Sequence, residues 1–286
     1  MISASTFQLL RFHFSFFLMP VFWFALSQVV QIEIKDAILI FIILHLLLYP
    51  ASNGYNSYMD RDTGSIGGIQ DPKQPTRQLY YASILLDCLA LLLSLFISIY
   101  FFAGIALFIA ASKAYSYRGI RLKKFPVLGY VTVIFFQGAV IFFLVKHGSS
   151  ISKTFSVPAI AMIAASFLVG GFYPLTQIYQ HHADKKDGVI TLSYLLGYRG
   201  TFFFTAIIYI SAMILLALYF GYNLELDRFL ILQLFMLPVL VYFFWWFYKV
   251  WHDVRQASYI NTMRMNVVAS VCTNAGFITL FLIDKY

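Results

Sequence analysis

The run Asn56-Ser57-Tyr58-Met59-Asp60-Arg61-Asp62 puts an amide and two carboxylates where a long apolar stretch gives way to a polar loop. Asn56 and Asp60 are four residues apart, so in a helix they share one face, one turn apart. Hard oxygen ligands of this kind at a membrane edge suit Mg²⁺, which takes one or two carboxylates, keeps waters and shares phosphate oxygens with a substrate. A second island, Gln180-His181-His182-Ala183-Asp184-Lys185-Lys186-Asp187-Gly188, follows another apolar run in a matching position. Taken singly, each island also reads as a solvated helix end, with Thr191 as a helix cap after the second. Two acidic clusters on one face of a lipid-embedded chain point instead to a metal site for an anionic ligand with an oily tail. A third group, Tyr115-Ser116-Tyr117-Arg118-Gly119-Ile120-Arg121-Leu122-Lys123-Lys124, is strongly basic. Its residues alone leave two roles open: anchoring to anionic lipid, or holding a leaving diphosphate.

The elements that carry these groups are dictated by composition. The chain of 286 residues is 61% hydrophobic and 11% charged. A soluble domain cannot hide that much apolar surface, whereas a polytopic membrane protein need not. The apolar runs are continuous rather than alternating, which selects helices over an outer-membrane barrel. Charge-free runs occupy 12–32, 37–59, 78–86, 88–112, 125–145, 154–183, 201–224, 229–248 and 265–283. The N-terminus lacks a signal-peptide cleavage pattern, so the first run is expected to stay as a span. Cys88 and Cys272 sit in apolar runs and imply no disulfide framework.

The stretch 78–117 reads as one long helix containing Asp87, or as two spans turning near Tyr100–Gly104. Loops 53–78 and 113–124 are both basic, so both are expected to be cytoplasmic, which requires two spans between them. The total becomes nine. With a cytoplasmic N-terminus, fifteen of the 20 Lys and Arg residues then fall on the inner side, as do both acidic clusters. The net charge of +8 follows these loops, which makes it a topology signal and not a nucleic-acid footprint. With no linker, the chain reads as a single domain over 1–286, with no protein partner required by any sequence feature.

The three islands together resemble the UbiA superfamily of intramembrane prenyltransferases. The family's first motif is Asn-Asp-x-x-Asp-x-x-x-Asp; Asn56 and Asp60 match it, while Ser57 and Gly64 replace acids. The second is close to Asp-x-x-x-Asp-Arg-x-x-Gly-x-x-Thr-Leu, ending in Leu-Gly. Here Asp184, Gly188, Thr191, Leu192 and Leu196-Gly197 match, and Gln180 replaces an acid. Tyr115-Ser116 and Arg121-Leu122-Lys123 resemble the family's Tyr-Ser and Lys-Leu-Lys, and Arg11 stands where many members carry an arginine.

The resemblance implies an all-α bundle of nine transmembrane helices around a central cavity open to the cytoplasmic side of the cell membrane. It implies Mg²⁺-dependent transfer of a prenyl group from a prenyl diphosphate to a small, aromatic acceptor that the sequence does not identify. Asn56, Asp60 and Asp184 take the metal and diphosphate role, with Asp62, Gln180 and Asp187 auxiliary. Arg118, Arg121, Lys123, Lys124 and Lys185 would hold phosphate oxygens. Arg11, Tyr58, Tyr115, Ser116 and Tyr173 would line the substrate pocket, where aromatic faces can stabilise a cation. A terpene cyclase of the same superfamily and a small-solute transporter are the competing classes. Rim-placed acids weigh against the transporter, whose polar groups usually lie at mid-membrane.

Elsewhere, Asp87 is a candidate partner for Arg77 or a group near the acceptor. His181 and His182 read as interfacial loop residues, with an acceptor base as the other role. His13 and His45 read as packing residues. Trp245, Trp246 and Trp251 read as an interfacial belt, and Asn266 and Asn274 as interhelical hydrogen-bonding groups.

Overall fold

A computed structural model describes residues 3–285, and among these the protein is a helical bundle. We number its helices α1 (Ala4–Ser27), α2 (Ile34–Asp60), α3 (Arg77–Ser94), α4 (Ile99–Ser116), α5 (Pro126–Ser149), α6 (Ala159–Lys186), α7 (Leu192–Tyr222), α8 (Leu226–His252) and α9 (Tyr259–Lys285). Eight are long and apolar enough to cross a membrane, all except α3. With 18 residues, α3 is about 27 Å long, but Arg77, Gln78 and Asp87 lower its hydropathy. The break inside 78–117 falls at 95–98 and not at Tyr100–Gly104. Ser98 decides this: its hydroxyl accepts from the Phe101 N–H at 3.0 Å and caps α4.

Successive helices run in opposite directions. The ends of α2, α4, α6 and α8 therefore gather on one side, with the start of α1. Helices α1, α2, α4, α5, α6 and α9 surround a cavity open at that side, while α3, α7 and α8 contribute nothing to its wall. The outer helices pack as buttresses, α3 on α2, α7 on α6 and α8 on α9. Phe24 stacks on Phe277 with ring centres 4.6 Å apart, joining α1 to α9.

Several spans depart from regular winding, and prolines explain part of this. Pro20, Pro50 and Pro174 each lack an N–H, so the carbonyl four residues earlier loses its helical partner. Two of these carbonyls are captured by other helices. Asn274 Nδ2 donates to Phe16 O at 3.3 Å, and Tyr130 Oη donates to Gly170 O at 3.1 Å. Before Pro50, α2 winds as a π-helical turn over Ile42–Leu48. A second such turn, Phe135–Val140, lies in α5 where Gly138 meets α6. A Cβ there would lie 2.3 Å from Ser166 Cα, so only glycine permits this approach.

Candidate active site

Asn56 and Asp60 occupy the last turn and a half of α2, and both face the cavity. The same helical phase turns Tyr58 away: it packs against Tyr80 at 5.2 Å and lies under Arg61, outside the cavity wall. Two residues along a helix is about 200° of rotation, so Tyr58, two residues from both Asn56 and Asp60, cannot share their face. Ser116, buried at the end of α4, donates to Asn56 Oδ1 at 2.7 Å. That bond fixes the amide oxygen and leaves its second lone pair free.

The cavity-facing polar residues of α6 include Gln177, Gln180 and Asp184, spaced three and four apart on one face, and Asp187 follows at the helix's C-cap. Gln180 Nε2 donates to Ser65 O at 3.2 Å, so the loop after α2 is tied to the end of α6. The same loop is held over the start of α1. Ser5 Oγ donates to Gln74 O at 2.6 Å, and the Lys73 N–H donates to Gln8 Oε1 at 2.9 Å. This brings Asp62 and Gly67 beside Arg11. Arg11 is buried, with Nη1 donating to Gly67 O and Nη2 to Asn53 O, each at 3.2 Å, while Nε has no partner.

The acids are matched by the loop after α4. Lys123 forms an ion pair with Asp60, and Arg121 with Asp187. Arg121 Nη2 is also 3.9 Å from Asp60 Oδ1. Arg118 caps α2 instead, donating through Nε to Met59 O at 2.8 Å. Lys124 lies over the Phe125 ring at 5.0 Å, and Lys185 is exposed; neither lines the cavity.

The rim thus gathers Asn56, Asp60, Asp62, Gln180, Asp184 and Asp187 around one opening. Among the described residues, no three His, Cys, Asp or Glu side chains close into a metal cage. What the rim offers is sparser: Asp60 Oδ1 and Asp184 Oδ2 are buried oxygens with no hydrogen-bond partner. Such a donor set fits a hard cation that completes its shell with water and with oxygens of a bound anion. Asp62 lies in the loop beyond α2. Burial, then the neighbouring Asp60 charge, push its carboxyl up to about 6, against the pull of Lys123 and Arg11.

Below the rim, the cavity of about 300 Å³ turns apolar and aromatic. Tyr115 and Tyr173 share a hydroxyl–hydroxyl hydrogen bond, and Gln177 Nε2 donates to Tyr173 Oη at 3.0 Å. Phe14, Phe17, Phe108, Phe136 and Phe172 continue the wall inward.

The sequence reading missed Asn53, Gln137, Gln177 and Ser270 as cavity residues. The available signal was helical phase: Asn53 precedes Asn56 by three residues, Gln177 precedes Gln180 by three, and Ser270 follows Asn266 by four. Other expectations are corrected. Asp87 pairs with Lys113 at 2.5 Å, not with Arg77. Trp246 is fully buried and donates to Gln256 O at 2.8 Å, so the interfacial pair is Trp245 and Trp251, lying under Lys249 and Arg199. His181 is buried, bonded to Ser193 Oγ at 2.8 Å and stacked on Tyr198. Both ring nitrogens of buried His45 lack partners, and Asn266 lines the cavity with its Nδ2 unpaired.

Comparisons with known proteins agree with this fold. A UbiA homolog from Archaeoglobus fulgidus, described as bound to GPP and Mg²⁺, superposes with a TM-score of 0.70 at 18% identity, covering 97% of this chain and 99% of that one. A UbiA homolog from Aeropyrum pernix K1 gives 0.67 at 18% identity, covering 94% and 98%. A digeranylgeranylglyceryl phosphate synthase structure gives 0.60 at 17% identity, covering 96% and 98%. A search of curated protein sequences returns no match. The family profile described as the UbiA prenyltransferase family matches residues 15–268, which span α1 to α9 and hold all three polar islands. The chain is therefore an integral membrane protein that belongs to the UbiA prenyltransferase family.

Proposed function

We propose that this protein transfers a prenyl group from a prenyl diphosphate to a small aromatic acceptor, with Mg²⁺, at the cytoplasmic face of the cell membrane. One observation carries the reading. Asp60 and Asp184, from distant helices, open onto one cavity with buried, unpartnered oxygens, above an apolar interior suited to a hydrocarbon chain. Family membership and the A. fulgidus homologs described with GPP or DMAPP and Mg²⁺ support the choice of ligand. The cluster of Lys and Arg beside the same opening supports a cytoplasmic orientation.

Asp60 and Asp184, with Asn56 and auxiliary Asp62, Gln180 and Asp187, would hold the metal–diphosphate headgroup. When bound, Mg²⁺ supplies positive charge that stabilises the departing diphosphate. Arg121 and Lys123 reach the same oxygens once they exchange their carboxylate partners for phosphate. Arg118 stands 3.9 Å from Asp187 at the mouth, close enough to join them. Tyr115 and Tyr173 line the cavity with their hydroxyls bonded to each other, and would offer aromatic surface to a cationic allylic carbon. The aromatic wall keeps water from that carbon until the acceptor reaches it. Arg11, which lines the cavity and has Nε unpaired, would orient an oxygen of the acceptor.

The test uses purified protein in nanodiscs, labelled prenyl diphosphates and a panel of aromatic acceptors. Prenylated product and Mg²⁺-dependent diphosphate release are expected, and Asp60→Ala or Asp184→Ala should abolish both while the protein stays folded. Full turnover in either variant would sink the assignment. A cyclised hydrocarbon formed without acceptor would replace it with the cyclase reading.

A further inference from the structure

Two carboxylates at the cavity mouth already hold cations of this chain. Lys123 pairs with Asp60 through Oδ2, and Arg121 pairs with Asp187. The first pair is enclosed: the Lys123 side chain is 12% exposed and that of Asp60 5%. Water therefore does little to stabilise either charge once the other leaves. The backbone under Lys123 is fixed. Its turn packs on the start of α5, where a Cβ at Gly129 would lie 3.1 Å from Lys123 Cα, and the Phe125 N–H donates to Leu122 O at 3.0 Å. Freedom to move is left to the four-carbon side chain, which lines the cavity.

This network leaves atoms of opposite kind unserved. Asp60 Oδ1 and Asp184 Oδ2 are buried acceptors without a hydrogen bond, and Arg121 Nε is a buried donor without one. Arg121 Nη2 stands 3.9 Å from Asp60 Oδ1, which ties donor and acceptor to one spot. A cation alone serves the carboxylate oxygens and leaves the donor bare. An anion alone does the reverse. A divalent cation that carries a diphosphate serves both.

We propose that Lys123 is the resident counter-ion of Asp60, and that its transfer to a diphosphate oxygen couples metal binding to diphosphate binding. The inference rests on the site being a metal–diphosphate site. With Mg²⁺ alone, Lys123 must give up Asp60 and stay enclosed without a partner. With a diphosphate alone, Lys123 either stays on Asp60 or leaves that carboxylate bare, and the neighbouring acids repel the anion. With both, Lys123 moves to a diphosphate oxygen and Asp60 is free to ligate the metal, so no charge is stranded. Each ligand therefore raises the affinity of the other, by the same factor in both directions.

The experiment measures binding of Mg²⁺ without diphosphate, by calorimetry, to the full protein in nanodiscs and to Lys123→Met. The variant should bind Mg²⁺ about tenfold more tightly than the unmodified protein, because its Asp60 is already free. With Mg²⁺ present, the same variant should bind geranyl diphosphate about tenfold more weakly. A merely structural role for Lys123 would not move the two affinities in opposite directions. Lys186→Gln removes an exposed charge at the end of α6 and should change either affinity less than about twofold, which separates ion-pair exchange from a general change in charge. Lys123→Gln carries the test if Lys123→Met does not fold. Equal Mg²⁺ affinity in the unmodified protein and the Lys123 variants, or an equal gain in Lys186→Gln, overturns the inference; the site assignment stands if geranyl diphosphate still binds with Mg²⁺. Failure of geranyl diphosphate to bind the unmodified protein with Mg²⁺ overturns the site assignment and this inference with it.

Discussion

Asp60 meets two cations, yet one of its oxygens has no hydrogen bond, a costly state that a folded protein keeps only where something else binds. Asp62 shows the same tension through its proton. Its carboxyl titrates near 6 when folded and near 4 when unfolded, so burial favours the protonated form. The resulting stability is fully present below about pH 4 and is lost as pH rises through about 6, amounting to about 2–3 kcal/mol. Asp62→Asn should therefore raise the melting temperature of metal-free protein at pH 7, with little change at pH 4, while reducing the extra stability gained from Mg²⁺ and diphosphate together. An unchanged melting temperature at both pH values would show that the carboxyl is not held in a desolvated position. Ser116 acts through Asn56. Ser116→Ala should raise KM for the donor about three- to tenfold by freeing the amide oxygen, with kcat less affected. Tyr58→Phe, which lies outside the wall, should leave kinetics unchanged.

The helices are held together by groups that their own irregularities expose. Proline breaks in α1 and α6 free the carbonyls of Phe16 and Gly170, and Asn274 and Tyr130 bind them across to neighbouring helices. Interhelical bonds of this type average about 0.6 kcal/mol, so Tyr130→Phe should destabilise the protein modestly in chemical unfolding. The ion pair of Asp87 with Lys113 joins α3 to α4, and Lys113 also lies 4.0 Å over the Tyr55 ring of α2. Removing one partner leaves a buried charge, so Asp87→Ala should cost about 3–5 kcal/mol in unfolding measurements. Pairing Asp87→Leu with Lys113→Met should recover most of that loss. If the single change costs nothing, the pair does not tie these helices. This contact illustrates where sequence reading ends. Asp87 was visible as an acid within a span, but its partner is 26 residues away on another helix, and no periodicity connects them.

For the whole molecule, charge and geometry give a single orientation to test. Cys88 of α3 and Cys272 of α9 are free thiols, so replacing them allows labelling at new cysteines. In sealed inside-out vesicles, an impermeant maleimide should label Lys185→Cys and spare Lys153→Cys, because the two sites lie on opposite sides of the bundle. The reverse pattern would invert the proposed topology and move the cavity mouth to the other compartment.

Length, hydropathy and charge placement were enough to determine a polytopic helical protein, because lipid leaves the backbone few ways to satisfy its hydrogen bonds. Helical spacing was enough to put Asn56 with Asp60, and the motifs were enough to indicate the family. The tertiary structure alone decided which residues meet. It seated Lys123 on Asp60 and Arg121 on Asp187, and turned Tyr58, Lys124 and Lys185 away. Those outcomes depend on helix phase, proline breaks and loop crossings summed over stretches of sixty residues and more. Local sequence determines each face of a helix, whereas the opposing face is set by how the bundle packs.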